Sequence, residues 1–345
     1  MGSAPETRIE DPVSARIAVL ATGGTIASVA TDHGVVATRT AGSLVDGLGI
    51  ADVEVETIDL MTIGSYRMTL EHLRRISDAV ADLLSRTDRP VDGIVITHGT
   101  DTMEETAILL DLVHDDPRPV VLTGAQRAGD AEAGDGPRNL TDAVRVAASA
   151  EARDHGVMIV FDGAVLPARG TRKLHTEALH AFGSVNGTEL GTVGPGGVHL
   201  VADIVRPKPL PRPDSRLDVT RVDLVESYPG ADDALLHAAV RAGATGIVLA
   251  GTGLGNTNPQ IVAAATELVS EGIALVVSTR VPEGPVRGVY GSGGGADLTA
   301  AGIPCASGLP ASQVRILLAL WLSRNRGADM SALAGVVASH VYLDN

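Results

Sequence analysis

The sequence predicts an α/β protein: a larger N-terminal domain with a mainly parallel sheet flanked by helices, and a smaller C-terminal α/β domain. Three observations predict it. Short apolar runs alternate with segments of helical periodicity, the pattern left by successive βαβ units. Aromatic residues make up only 2% of the chain, so the core has to be built from Val, Leu, Ile and Ala, as buried parallel strands and their covering helices often are. Residues 205 to 216 read Val-Arg-Pro-Lys-Pro-Leu-Pro-Arg-Pro-Asp-Ser-Arg, and four prolines at alternate positions fit neither a helix nor an interior strand. That segment divides the chain, and 345 residues is a length at which two cores are expected.

Taken in order, residues 1 to 15 carry Glu6, Arg8, Glu10 and Asp11 with no apolar run, which reads as a loose tail rather than a secretory leader and points to a cytoplasmic protein. The N-terminal domain spans 16 to 204. Its strands are expected at 16 to 22, 52 to 60, 93 to 97, 119 to 123 and 156 to 162, with helices at 69 to 86, 102 to 114 and 139 to 152. In the first helix Leu70, Leu73, Ile76, Val80, Leu83 and Leu84 recur at three- and four-residue intervals, and Thr69 precedes them as an N-cap. An extended, stiff linker is expected over 205 to 222. The C-terminal domain, 223 to 345, should hold helices at 232 to 242, 259 to 271, 311 to 325 and 329 to 339 around strands at 246 to 250 and 274 to 280. Gly291 to Gly295 reads as a flexible loop.

Composition excludes several function classes. A formal net charge of −15, with no basic run, disfavours nucleic acid and anionic membranes as partners. Apolar stretches break well before bilayer-spanning length. Cys305 is the only cysteine, so an intrachain disulfide or a cysteine-based metal site is impossible, and the histidines show no metal-ligand spacing. Gly251, Gly253 and Gly255 follow a strand, but the third glycine is misplaced for a dinucleotide loop. The candidate chemistry lies in hydroxyls, carboxylates and a scarce amine.

Two turns supply them: Ala-Thr-Gly-Gly-Thr-Ile-Ala at 21 to 27 and Thr-His-Gly-Thr-Asp-Thr-Met-Glu-Glu at 97 to 105. Each follows an apolar run, so both should sit at the carboxyl ends of strands, where open α/β sheets bind small ligands. Thr25 is read either as a turn or cap residue or as a nucleophile, which would need a base and oxyanion donors. Thr100 and Asp101 place a second hydroxyl beside a carboxylate. Lys173 and Lys208 are the only lysines, and Lys173 could complete a hydroxyl-lysine-carboxylate relay. His98 reads as a residue that fixes the turn.

These two blocks resemble the signatures of bacterial-type L-asparaginases, a family that includes glutaminase-asparaginases and an archaeal tRNA-amidotransferase subunit. The resemblance extends to Leu122-Thr123-Gly124-Ala125, Asp135-Gly136-Pro137 with Asn139-Leu140, Arg172-Lys173, and Ala250-Gly251 with Asn256. It implies hydrolysis of a small-molecule carboxamide, L-asparagine to L-aspartate and ammonia, with glutamine as a second substrate. The route it implies is an acyl-enzyme on Thr25, aided by Thr100, Asp101 and Lys173. Ser65 would bind the substrate α-carboxylate, Asp101 the α-ammonium, and Gly24, Gly99 and Tyr66 would complete the pocket. Asn256 would come from a neighbouring subunit, in a tetramer built from intimate dimers. The family needs no metal or organic cofactor.

The sequence departs from the family in its lid. Residues 28 to 43 contain no tyrosine, where the family has one that closes over the nucleophile. Arg39 stands near the expected place, but a guanidinium is no base. Tyr66 either takes over part of that tyrosine's work or packs beside the pocket. The stretch from Gly284 to Tyr290 lacks the carboxylate that a partner subunit would lend, a space that Tyr290 could fill. The alternative reading is a binding protein for small amino acids, or a low-activity amidase that lost efficient turnover with its lid tyrosine.

Overall fold

A computed structural model describes residues 15–341 apart from 32–33, 47, 49, 51, 130, 132, 186, 203–204 and 326–328. All but the last residue of the expected tail, and His33, lie outside the described residues. The chain opens with β1 (Ala15–Gly23), a hairpin of β2 (Ser28–Thr31) and β3 (Gly34–Ala37), helix α1 (Ala41–Val45) and the long β4 (Val53–Ile63). Alternation follows through α2 (Leu70–Ser85), β5 (Gly93–Thr97), α3 (Met103–Val113), β6 (Val120–Thr123), α4 (Gly136–Ala148) and β7 (Val157–Phe161). Five short strands complete this unit: β8 (Ala164–Pro167), β9 (Thr171–Lys173), β10 (Phe182–Ser184), β11 (Gly191–Gly194) and β12 (Gly197–Leu200).

The main sheet has the order β12-β11-β8-β7-β6-β5-β1-β4. Its β4, β1, β5, β6 and β7 pair in parallel, and β8, β11 and β12 extend it antiparallel. Alternate residues of each strand feed opposite faces. Ala18, Leu20, Ile94 and Ile96 pack with Ile76, Val80 and Met103 of α2 and α3, whereas Ile17, Val19 and Val95 pack with Leu140, Ala143 and Val144 of α4. Burial on both faces is why these strands read as unbroken apolar runs.

The smaller unit holds β13 (Val222–Glu226), α5 (Ala234–Arg241), β14 (Gly246–Gly251), α6 (Pro259–Ser270), β15 (Ala274–Thr279), α7 (Gly295–Ala300), α8 (Ala311–Arg324) and α9 (Met330–His340). Its sheet is parallel, in the order β13-β14-β15. The proline-rich stretch holds no helix or strand over 205–214, and the Leu210 N–H donates to the Leu112 carbonyl 2.7 Å away. Ile108, Leu109 and Leu112 of α3 share one apolar cluster with Val314, Leu317, Leu318 and Trp321 of α8, so the two units meet over a continuous core.

Three expectations are corrected. The segment expected as linker over 205 to 222 holds a 3-10 turn at Leu217–Val219, and at Val222 begins β13, a strand the periodicity does not predict. The glycine-rich stretch is not simply a loop: Gly295 starts α7, and the Gly293 N–H is held by Asp297 Oδ2 at 2.7 Å. The third helix of the first domain starts at Gly136 and stops at Ala148, where a 3-10 turn at Ala150–Ala152 takes over. Among the described residues, no helix is long and apolar enough to cross a membrane.

Candidate active site

Three neighbouring strands, β5, β1 and β4, end side by side, and their turns build the site. Ala21 lies opposite Thr97 and Gly23 opposite Ile63, so the turns after these strands converge. Thr25 opens a 3-10 turn after β1, Ser65 one after β4, and Thr100 and Asp101 lie between β5 and α3. Glycine is required where the turns touch. A Cβ on Gly24, whose φ is 81°, would stand 2.3 Å from the Gly99 nitrogen, and one on Gly99 would stand 2.5 Å from Ser65 Oγ. These contacts close one end of a cavity of about 350 Å³ lined by Thr25, Ser65, Tyr66, Arg67, Thr100 and Asp101, with the backbone of Gly24 and Gly99.

The hydroxyls in this cavity are in different states. Thr25 Oγ1 makes no hydrogen bond to any described residue, and its side chain is only partly buried. Thr100 is 4% exposed: its Oγ1 accepts from the Lys173 ammonium at 2.7 Å and donates to Gln126 Oε1 at 3.0 Å. The same ammonium donates to Asp101 Oδ1 at 2.9 Å, which completes the expected hydroxyl-lysine-carboxylate cluster. Ser65 Oγ accepts from the Asp101 N–H at 3.2 Å and donates to no described residue.

His98 is fully buried. Its Nδ1–H donates to the Gly99 carbonyl at 2.7 Å, and its Nε2 accepts from the Thr106 hydroxyl at 2.9 Å, an assignment set by the carbonyl's ability only to accept. Burial lowers its pKa to about 4, so it stays neutral and pins the turn, as the sequence suggested.

Two residues that sequence reasoning missed belong to this site. Gln126 orients Thr100, and its own amide is fixed by donation to the carbonyls of Thr176 and Ala178, both at 3.2 Å. Its place directly after the Leu122-to-Ala125 block was the available signal. Arg67 lines the cavity without an ion pair to any described residue, and its position two residues after Ser65 was the signal there.

Other candidates lie elsewhere. Arg39 donates to the carbonyls of Ser43 at 3.0 Å and Gly129 at 3.4 Å, so it staples α1 to a loop and does not line the cavity. Asn256 is not brought to Thr25 within this chain: its Oδ1 accepts from the Gly295 N–H at 3.0 Å beyond β14. Tyr290 is 59% exposed and also stands outside the cavity lining.

A two-unit α/β chain whose strand-end turns gather a threonine bonded to no described residue and a threonine-lysine-aspartate cluster has the form of an amidohydrolase. Residues 16–206 match the family described as Asparaginase, N-terminal, and residues 221–333 match the Glutaminase/Asparaginase C-terminal domain. A probable L-asparaginase of Deinococcus radiodurans is 35% identical over 95% of this chain and 98% of its own length. A glutaminase-asparaginase of Pseudomonas fluorescens is 35% identical over 78% of this chain and 76% of its own. The crystal structure of a probable cytoplasmic L-asparaginase from Campylobacter jejuni superposes with a TM-score of 0.82 at 32% identity, covering 94% of this chain and all of that one. The chain belongs to the asparaginase family.

Proposed function

We propose that this cavity hydrolyses the side-chain amide of L-asparagine to L-aspartate and ammonia, with glutamine as a second substrate, through an acyl-enzyme on Thr25. The observation that carries the reading is that Thr25, whose hydroxyl bonds to no described residue, lines one small cavity with Thr100 and Asp101, both of which the Lys173 ammonium holds. Thr25 Oγ1 adds to the amide carbon as its proton leaves, and backbone N–H groups near Thr100 steady the oxyanion. Collapse breaks the C–N bond, and the departing nitrogen takes up the proton that left Thr25 and goes as ammonia. Water then adds to the threonyl ester, with Thr100 and Lys173 moving its proton, and Thr25 is regenerated. Ser65 holds the α-carboxylate and Asp101 the α-ammonium.

Because Asn256 stands apart from Thr25 in its own chain, the reading includes a homo-oligomer, a tetramer of paired dimers, in which a neighbour supplies it. It also places the protein in the cytoplasm, as the Campylobacter relative is described. Thr25→Ala should lower ammonia release on the order of 10³-fold or more with the fold intact. A folded variant that turns over at the parent rate would remove Thr25 from the mechanism.

A second reading rests on one feature: among the described residues, no base is hydrogen-bonded to Thr25. On that reading the chain binds small amino acids with little or no turnover. Calorimetric binding of asparagine without ammonia release would favour it.

A further inference from the structure

We propose that Ser312 and Gln313, in the first turn of α8, are positioning residues that set where the Lys173 ammonium stands against Thr100 and Asp101. Strand β9, which carries Lys173, is three residues long and pairs only with the three-residue β10, apart from the main sheet. A two-stranded ribbon of this length is not stable by itself. Something outside it has to fix the lysine, and α8 of the smaller unit does so.

Gln313 is fully buried. Its Oε1 accepts from the Gly170 N–H at 2.9 Å, and its amide hydrogens are shared among the carbonyls of Ala168 at 2.7 Å, Thr171 at 3.0 Å and Glu104 at 3.4 Å. One side chain thus grips the whole approach to β9. Ser312 acts through Glu104: its hydroxyl donates to Glu104 Oε1 at 2.6 Å, and Glu104 Oε2 accepts from the Lys173 backbone N–H at 2.7 Å. Glu104 lies three residues beyond Asp101, at the start of α3. The helix that follows Thr100 and Asp101 and the strand that carries Lys173 are therefore held by two consecutive residues of the other unit. Neither Ser312 nor Gln313 lines the cavity, so both act through Lys173 rather than on a substrate.

The inference rests on the hydrolase reading only for its kinetic arm. Gln313→Met keeps the side chain's length and removes all four hydrogen bonds, Ser312→Ala removes one, and Ser312→Thr retains the hydroxyl. Two quantities are read: kcat and KM for ammonia release, and the rate at which the N-hydroxysuccinimide ester of acetic acid acylates Lys173 relative to Lys208, followed by mass spectrometry. Since these are the only lysines, the ratio is an internal standard.

A displaced catalytic group costs up to about 10²-fold, so kcat should fall roughly 10²-fold in Gln313→Met and about tenfold in Ser312→Ala, with KM within about twofold and Ser312→Thr close to the parent. The Lys173-to-Lys208 ratio should rise about fivefold or more in the first two variants as the ammonium loses its fixed partners. Leu268→Ala, a cavity in the core of α6, controls for loss of stability alone and should leave the ratio at the parent value. The proposal is overturned if folded Gln313→Met and Ser312→Ala keep the parent ratio and kcat, or if Leu268→Ala moves the ratio as far. Should Gln313→Met fail to fold, Ser312→Ala decides. A raised ratio in a protein whose parent releases no ammonia leaves the clamp standing and removes the hydrolase reading.

Discussion

Thr25 and Thr100 carry one functional group in opposite states. Thr100 has its proton and a lone pair engaged, whereas Thr25 faces the cavity with neither committed to a described residue. On the acyl-enzyme reading an unassisted hydroxyl does not ionise at neutral pH, so a proton acceptor has to reach Thr25. Tyr66 is the phenol that lines it, 75% exposed, its ring held against Gly64. If it assists, Tyr66→Phe should lower kcat on the order of 10²-fold with KM nearly unchanged, by a coupled ammonia assay. A parent-like rate assigns Tyr66 to the cavity wall. The strand-end threonines were legible because two apolar runs led into them. Gln126 was not, because it is recruited by contacts 26 and 50 residues away that no local pattern records. Arg39 attracted notice by standing where a tyrosine was missing, yet its guanidinium is spent on two carbonyls.

At the scale of elements, what could be read depended on how many faces were buried. β1, β5, β6 and β7 are covered on both sides and appear in the sequence as plain apolar runs. β13 is an edge strand of five residues, Val-Asp-Leu-Val-Glu, in which only Val222 and Val225 are buried. With charged residues at two of its five positions and only two buried, it leaves no apolar run to predict a strand from. Helix α2 was legible down to its cap. Thr69 accepts from the His72 N–H at 3.4 Å while His72 Nδ1 accepts from the Thr69 N–H at 3.1 Å, a reciprocal box with histidine in the place of the usual glutamate. Thr69→Ala should lower the unfolding free energy by about 1 kcal/mol in urea titrations. No change would mean that solvent serves that helix end equally well.

For the whole molecule, the junction of the two units has a pH dependence of its own. Glu105 is pushed up to about 7, first by loss of water and then by the neighbouring Glu104 carboxylate, with Arg315 and Arg172 offsetting part of the rise. The folded chain thus favours protonated Glu105. That contribution is fully present below the ordinary carboxyl value of 4.5 and is lost as pH rises through about 7. His98 has the opposite sign. Its neutral form is favoured, so its contribution is complete above 6.5 and is lost as pH falls toward 4. Glu105→Gln should therefore raise the thermal midpoint above pH 7 and converge on the parent near pH 4.5. A difference constant across that range would remove Glu105 as the cause.

The apolar seam between α3 and α8 reaches further than stability. An exchange of halves between two relatives at the proline-rich stretch would set together surfaces that had never been shaped against each other, and a lysine ribbon with a foreign foothold. That is a physical reason for the large and small halves to be inherited as one piece, although each is folded around a sheet of its own.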